Sequence, residues 1–268
     1  MSIINGLEWT FDTVASSYDK MRPGYVDEVY KCILGYHPID ASGIAAEVGI
    51  GAGQATMPIL RTGCKLVAVE PGEHFSELCR EKFMEYPQFT VITGKFEEVG
   101  LAENAYDLVY SATAFHWVPE EIGYPKVFKM LKGGGAFARF ANQPYPDRKR
   151  PGLTEEIDDL YERYYYRYHN RKRAVLEQCD DKLALQRAKI AEKYGFEDIR
   201  FHLFHRERIF SAEEYVALLG TYSDHIAIEE GVRMEFFSKI KEAIQRHGGF
   251  IAVNDTIDLE LARKPGMC

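Results

Sequence analysis

The chain has no Cys-x-x-Cys pair. Its five cysteines, Cys32, Cys64, Cys79, Cys179 and Cys268, are scattered and odd in number. That pattern supplies neither a disulfide framework nor paired thiolates for zinc, and reads as reduced thiols in a cytoplasmic protein with no metal. Positive charge is also short: 33 Lys and Arg against 41 Asp and Glu leave a net charge of −8. The concentrated basic surface that a phosphate backbone demands is absent as a bulk property, so no nucleic-acid partner is expected. No apolar run reaches the roughly 18–20 residues of a membrane span. The opening MSIINGLEWTFD has no basic start followed by an apolar stretch, so neither a signal peptide nor a membrane partner is expected. A G-x-x-x-x-G-K-[ST] phosphate loop is missing throughout. Nothing marks an obligate protein partner.

What is present is ordinary globular material: 268 residues, 46% hydrophobic and 28% charged, enough for one large domain with a substantial core. The expected organisation is a single domain with a helical leader over 1–40, an alternating core over 41–142, a helical insert over 143–192 and a return to strand-like patterning over 193–268. Short β-branched runs at 44–49, 65–70, 89–93, 106–111 and 135–141 alternate with amphipathic stretches at 54–62, 73–84 and 119–131. Strands alternating with helices predict a parallel, doubly wound α/β sheet with right-handed crossovers. Further strands are expected at 199–209 and 250–263, and further helices at 211–219 and 229–246.

The strongest local signal is Glu47-Val-Gly49-Ile-Gly51-Ala-Gly53-Gln54, where the first strand turns into the first helix. Glycine there permits φ > 0 and lets the backbone approach a ligand closely. A nicotinamide-dinucleotide loop reads G-x-G-x-x-G, which places a third glycine at residue 54, but residue 54 is Gln. Glu70, followed by Pro71, ends the second strand 21 residues after Gly49 (70 − 49). That is about the ~20-residue offset at which an acid meets a ribose hydroxyl pair.

Loop, strand and acid together resemble a class I S-adenosylmethionine-dependent methyltransferase. Gly94-Lys95-Phe96-Glu97 follows the third strand, where that family contacts adenine. Tyr106-Asp107-Leu108-Val109-Tyr110-Ser111, then Ala114-Phe115-His116-Trp117, matches its fourth strand and the acceptor-facing loop. Leu131-Lys132-Gly133-Gly134-Gly135 resembles its LKPGG turn before strand five. Tyr18-Asp-Lys-Met-Arg22-Pro23-Gly24-Tyr25 and Leu218-Leu219-Gly220-Thr221-Tyr222-Ser223 are similar to motifs of its small-molecule, trans-aconitate methyltransferase-like subgroup, of methyltransferase type 11. The resemblance implies a Rossmann-like seven-stranded sheet of order 3-2-1-4-5-7-6 with strand seven antiparallel. It implies S-adenosylmethionine as cofactor and a small-molecule acceptor, methylated on oxygen or nitrogen, with carboxylic acids among the candidates. The alternatives are a non-catalytic S-adenosylmethionine-binding regulator and a nicotinamide-dependent oxidoreductase.

On this reading the cofactor is held by Tyr18, Arg22, Tyr25, Glu47, Gly49, Gly51, Gly53, Gln54, Glu70, Pro71, Lys95, Phe96, Glu97, Ser111, Phe115 and Trp117. Arg22 suits a carboxylate, and aromatic faces at Tyr18 and Tyr25 suit a sulfonium. His116 is the candidate general base, its ordinary pKa near ~6.5 suiting neutral pH. In the insert, Leu153, Ile157, Leu160, Tyr161, Tyr164 and Tyr168 recur at three- or four-residue steps as one helical stripe. Tyr161, Tyr164 and Tyr168 are then candidates to orient the acceptor from a lid.

Overall fold

A computed structural model describes Arg22 and residues 24–146, 149–173 and 178–266. Tyr18 lies outside these residues, as does most of the expected leader. The described elements run α1 (Asp27–Tyr36), β1 (Ile44–Val48), α2 (Thr56–Leu60), β2 (Lys65–Glu70), α3 (Glu73–Lys82), β3 (Phe89–Thr93), β4 (Tyr106–Ala112), α4 (Glu120–Met130), β5 (Leu131–Pro146), α5 (Pro151–Leu160), α6 (Asp181–Ala188), β6 (Glu197–Ser211), α7 (Ala212–Leu219), α8 (Ser223–Ile226), α9 (Glu230–Arg246) and β7 (Phe250–Arg263).

The strands form one seven-stranded sheet of order β3-β2-β1-β4-β5-β7-β6. β1 pairs in parallel with β2 and β4, β2 with β3, and β4 with β5. β7 runs antiparallel, and Gly134 and Lys264 begin that pairing with Gly134 N–H on Lys264 O at 2.9 Å. The reason for the sheet is visible in the two-residue alternation of its side chains. Ala45, Leu66, Ala68, Leu108, Tyr110, Ala136, Ala138 and Phe140 pack on one face with Val29, Ile33, Ile59 and Phe83. Ala46, Val48, Val69, Val109 and Phe137 pack on the other with Tyr124, Val127 and Met130 of α4.

Two features depart from the expected pattern. Strand five begins at Leu131, and the Lys132-Gly133-Gly134-Gly135 segment lies inside it as an irregularity: Tyr106 pairs Leu131, but Leu108 pairs Ala136. Glycines release the strand from regular register there, so the segment bulges instead of turning. In the insert, α5 stops at Leu160 and a six-residue π-helix, Tyr161–Tyr166, follows it. Bonds from Arg167 N–H to Glu162 O (3.3 Å) and from Arg171 N–H to Tyr166 O (2.9 Å) span five residues. The wider turn shifts the face. Tyr165, outside the expected stripe, is buried, whereas Tyr168 is 44% exposed.

Two compact units share the chain. Among the described residues, one takes in 24–142, 179–204 and 257–266; the other takes in Arg22, 143–178 and 205–256. The second has its own core of Leu153, Ile157, Leu160, Tyr165, Phe236 and Ile240. Residues 179–192, grouped with the insert by sequence, belong to the first unit. None of the described helices is long and apolar enough to cross a membrane.

In the first unit, Arg139 of β5 donates to Glu260 of β7 in a side-chain pair only 21% and 10% exposed. Burial pushes Glu260 up to about 7, the Arg139 guanidinium pulling the other way. Arg139→Met should therefore cost about 3–5 kcal/mol above pH 8, where an unpaired carboxylate is left buried. The cost should be smaller near pH 5, where Glu260 takes up a proton. Urea unfolding at the two pH values checks this; equal losses would contradict it.

Candidate active site

The loop after β1 is built from three left-handed glycines. Gly49, Gly51 and Gly53 have φ of 71°, 54° and 78°. A Cβ on Gly49 would lie 2.4 Å from the Ala114 Cβ, and one on Gly53 would lie 2.6 Å from the Phe83 ring. A Cβ on Gly51 would meet nothing nearer than Gln54 Oε1 at 3.9 Å. The outer two glycines are required by packing, while the middle one leaves the loop open to a ligand.

Side chains from neighbouring elements hold this loop. Glu70 Oε2 accepts from Gly51 N–H at 2.8 Å, and Oε1 accepts from Gly72 N–H at 3.0 Å. From α3, Cys79 Sγ donates to Gly51 O at 3.1 Å, and just inside the helix end Lys82 Nζ donates to Ala52 O at 2.8 Å. Gln54 Nε2 is buried without a hydrogen-bond partner. A buried amide donor costs about 1–3 kcal/mol when unpaired, so at this place it fits an acceptor atom of a ligand.

Glu47 lies beneath the loop, 1% exposed. Its Oε2 accepts from Thr56 Oγ1 and from Tyr110 OH, both at 2.7 Å, and its Oε1 has no partner. Burial pushes the carboxyl up to about 8, against the pull of the two hydroxyls, and Glu70 adds to the rise. Thr56 and Tyr110 carried no sequence signal as partners of Glu47; they follow Gln54 and precede Ser111, inside segments already read as helix and strand.

The other sequence-predicted residues divide by environment. Ser111 is fully buried and donates to Val48 O at 2.7 Å, tying β4 to β1. Phe96 is buried in the core, and Lys126 donates to its carbonyl. Lys95, Glu97 and Pro71 are half-buried beside their strand ends. After β4 a single 3-10 turn, Phe115–Trp117, sends successive side chains apart. Phe115 joins the core against Tyr124 and Phe137, with centroids at 5.3 and 4.9 Å. Trp117 is half-buried and His116 is exposed, their rings 5.2 Å apart. Desolvation by the surrounding protein lowers the His116 pKa, and its access to water limits how far; the imidazole is neutral at pH 7.

Tyr25 does not stand alone before α1: its OH lies 2.5 Å from Thr113 Oγ1 and its ring packs edge-on against Phe140. In the second unit, Arg22 donates to Thr221 Oγ1 at 3.0 Å and Thr221 O at 3.1 Å, and stacks 4.0 Å over the Tyr222 ring. Two motifs recognised separately in the sequence thus meet. Tyr161 OH bonds His225 Nε2 at 2.9 Å, His225 Nδ1 lies 2.7 Å from Asp224 Oδ1, and Tyr165 OH donates to Asp224 Oδ2 at 2.6 Å. Tyr164 OH donates to Glu235 at 2.6 Å. Of the three candidate acceptor tyrosines, two are therefore engaged within their own unit.

The sheet order, the glycine loop and the acid at the end of β2 are similar to those of class I S-adenosylmethionine-dependent methyltransferases. Residues 46–138 match the methyltransferase domain family of type 11. An uncharacterized methyltransferase of Mycobacterium tuberculosis is 30% identical over 151 residues, 56% of this chain and 58% of that protein. The chain thus spans little more than half the length of that relative. An uncharacterized methyltransferase-like protein of Schizosaccharomyces pombe is 25% identical over 87% of this chain and 85% of its own. Among solved structures, a type II methyltransferase from Anaeromyxobacter dehalogenans superposes with TM-score 0.63 at 19% identity, covering 92% of this chain and 99% of that one. A Haemonchus contortus phosphoethanolamine N-methyltransferase in complex with S-adenosyl-L-methionine has TM-score 0.55 at 16% identity, covering 95% and 57%. These two share the fold.

The buried Glu47 gives a pH test. Its folded pKa of about 8 exceeds the ordinary 4.5, so the folded state binds the extra proton. The stability this contributes is complete below about pH 4.5 and is lost as pH rises through about 8. Glu47→Gln keeps a carbonyl for both hydroxyls but cannot titrate. The melting temperature of wild type relative to this variant should fall steadily between about pH 5 and about pH 9. A constant difference would mean that Glu47 is ionised throughout.

Proposed function

We propose that the chain transfers a methyl group from S-adenosylmethionine to a small molecule, on oxygen or nitrogen, a carboxylic acid being among the candidate acceptors. The observation that carries this is the clamp of Glu70 on Gly51 beside an unpartnered Gln54 amide, on an open glycine loop at the carboxyl ends of β1 and β2. Ligands of doubly wound sheets bind at such strand ends. In this reading Glu70 takes the ribose hydroxyl pair, its plane already set by the amides of Gly51 and Gly72. The loop backbone and Gln54 face the methionine portion, and Lys95 and Glu97 flank the adenine. Phe96 contributes its backbone, since its ring is in the core.

When bound, the cofactor supplies an electrophilic methyl group on a sulfonium. The protein's own part is to position the acceptor and to take its proton. His116 is neutral and exposed, so an imidazole nitrogen can accept a proton from an O–H or N–H acceptor. The half-buried Trp117 ring beside it offers apolar surface to an acceptor, and Phe115 anchors the turn in the core. Among the described residues, Cys32, Cys64, Cys79 and Cys179 are not joined in disulfides, which accords with a cytoplasmic site of action.

S-adenosylmethionine and S-adenosylhomocysteine should both raise the melting temperature, as about 2.7 kcal/mol of added stability at a hundredfold excess over Kd requires. A shift with NAD(H) and none with either adenosyl compound would refute the cofactor assignment. Glu70→Ala should weaken cofactor binding about tenfold or more by calorimetry, since charge-assisted bonds contribute about 1.5–3 kcal/mol. An unchanged Kd would remove Glu70 from the ribose. With an acceptor identified by labelled methyl transfer, His116→Gln should lower kcat about 10²–10⁴-fold with little change in cofactor Kd. If instead cofactor binding suffers and turnover survives, His116 packs and does not take the proton.

A further inference from the structure

Four non-glycine residues among those described have positive φ: Asn104, Thr113, Asn170 and Asp198. Asn and Asp visit the left-handed region readily because their short polar side chains bond locally. Thr113, at φ 54°, is the β-branched one, and for such a side chain the conformation is a true outlier. It sits immediately after β4 and before the turn that carries Phe115, His116 and Trp117. Outliers of this kind persist only where the surroundings impose them, and they gather at functional sites.

The surroundings here can be named. Thr113 N–H donates to Phe140 O at 2.8 Å, so the backbone is anchored to β5 as the strand ends. Thr113 Oγ1 lies 2.5 Å from Tyr25 OH and accepts from Asn142 N–H at 3.3 Å. Tyr25 is itself fixed edge-on against Phe140, with centroids at 4.7 Å. Directly after Thr113, Ala114 fills the space that a Cβ on Gly49 would need. The left-handed residue therefore makes the chain turn sharply, seats Ala114 on the glycine loop, and leaves His116 exposed beside Trp117. A residue in the ordinary extended region would carry the chain straight on from β4.

We propose that Thr113 is a positioning residue: its hydroxyl, latched by Tyr25 and by the Asn142 amide, holds residue 113 in the left-handed conformation and so aims the His116–Trp117 turn. The latch is a property of this chain's own groups; its bearing on turnover rests on the methyltransferase reading. Tyr25 then acts through Thr113, where the sequence assigned it to the cofactor directly. The hydroxyl matters and the γ-methyl does not, which separates latch from packing.

The chain contains two tryptophans, so a Trp9→Phe background makes Trp117 the sole reporter of the turn. Thr113→Val keeps the shape and removes the hydroxyl; Tyr25→Phe keeps the ring and removes its partner. Each should shift Trp117 emission and raise its accessibility to acrylamide. The double variant should show no more than Thr113→Val alone, because removing the Thr113 hydroxyl already breaks the bond that Tyr25→Phe removes. Thr113→Ser should retain the wild-type signal and, with less crowding at Cβ, a melting temperature equal to or above wild type. In labelled-methyl assays the Val and Phe variants should lose about tenfold or more in kcat/KM, with cofactor Kd within about threefold, and Ser should restore turnover. Wild-type Trp117 emission in both folded hydroxyl-deletion variants, or additive changes in the double variant, would overturn the latch. Loss of the signal in Thr113→Ser as well would assign the effect to packing and overturn it equally. If wild type binds no adenosyl cofactor, the methyltransferase reading fails, and the fluorescence cycle still decides the latch.

Discussion

The carboxylate of Glu70 is the contact on which the geometry around the β1 loop depends. Three left-handed glycines give the loop only Ile50 and Ala52 as side chains to bury, and glycine loses more conformational freedom on folding than any other residue. Glu70 meets that cost from outside, by a charge-assisted bond to the middle amide. Cys79 and Lys82 take the adjacent carbonyls. Those atoms are therefore engaged from outside the loop, while Ile50 and Ala52 anchor it from within. Phe83 and Ala114 occupy the volumes that the outer two glycines vacate, so the opening is confined to Gly51. A site of this kind is shaped by what its neighbours forbid as much as by what it contains.

The acid beneath the loop has a different logic. Glu47 is enclosed by Thr56 from α2 and Tyr110 from β4, and Tyr30 OH of α1 is a second buried polar atom without a partner. Both hydroxyl donors fall on one carboxylate oxygen, which leaves the other buried without a partner. Such a group is stable when neutral, and an incoming cation is what would favour its ionised form. The same acid that marks the glycine motif in sequence is therefore, in the folded chain, a carboxyl whose charge is set by its environment.

The elements that depend on local pattern were legible in the sequence. β2 and β3 lie where alternation of apolar residues put them, and β7 occupies 250–263 as expected. The sheet order followed from the family resemblance on the glycine loop and Glu70. What escaped were contacts between distant segments and one reversal of propensity. Thr113 has no preference for the left-handed region, so no pattern at residues 111–117 announces it. Arg22 and Thr221 each belonged to a recognised motif, but their bond joins positions 199 residues apart. The insert failed in a more local way. A three-or-four-residue stripe assumes α-helix to the end, and the π-turn at 161–166 exchanges Tyr165 for Tyr168 on the buried side. Regular periodicity is a sound guide until a helix changes its pitch.

β5, β6 and β7 each cross between the two units, at residues 142–143, 204–205 and 256–257. Among the described residues, the second unit is thus assembled from Arg22 and two longer stretches, 143–178 and 205–256. Ribosomal synthesis delivers its last stretch, with α9, only shortly before β7 completes the sheet. Neither unit can be produced by a single proteolytic cut. Loop closures over such separations slow folding. A mutation that weakens β7 should accordingly be felt in both units at once, as lost yield of native protein and not as the loss of one module.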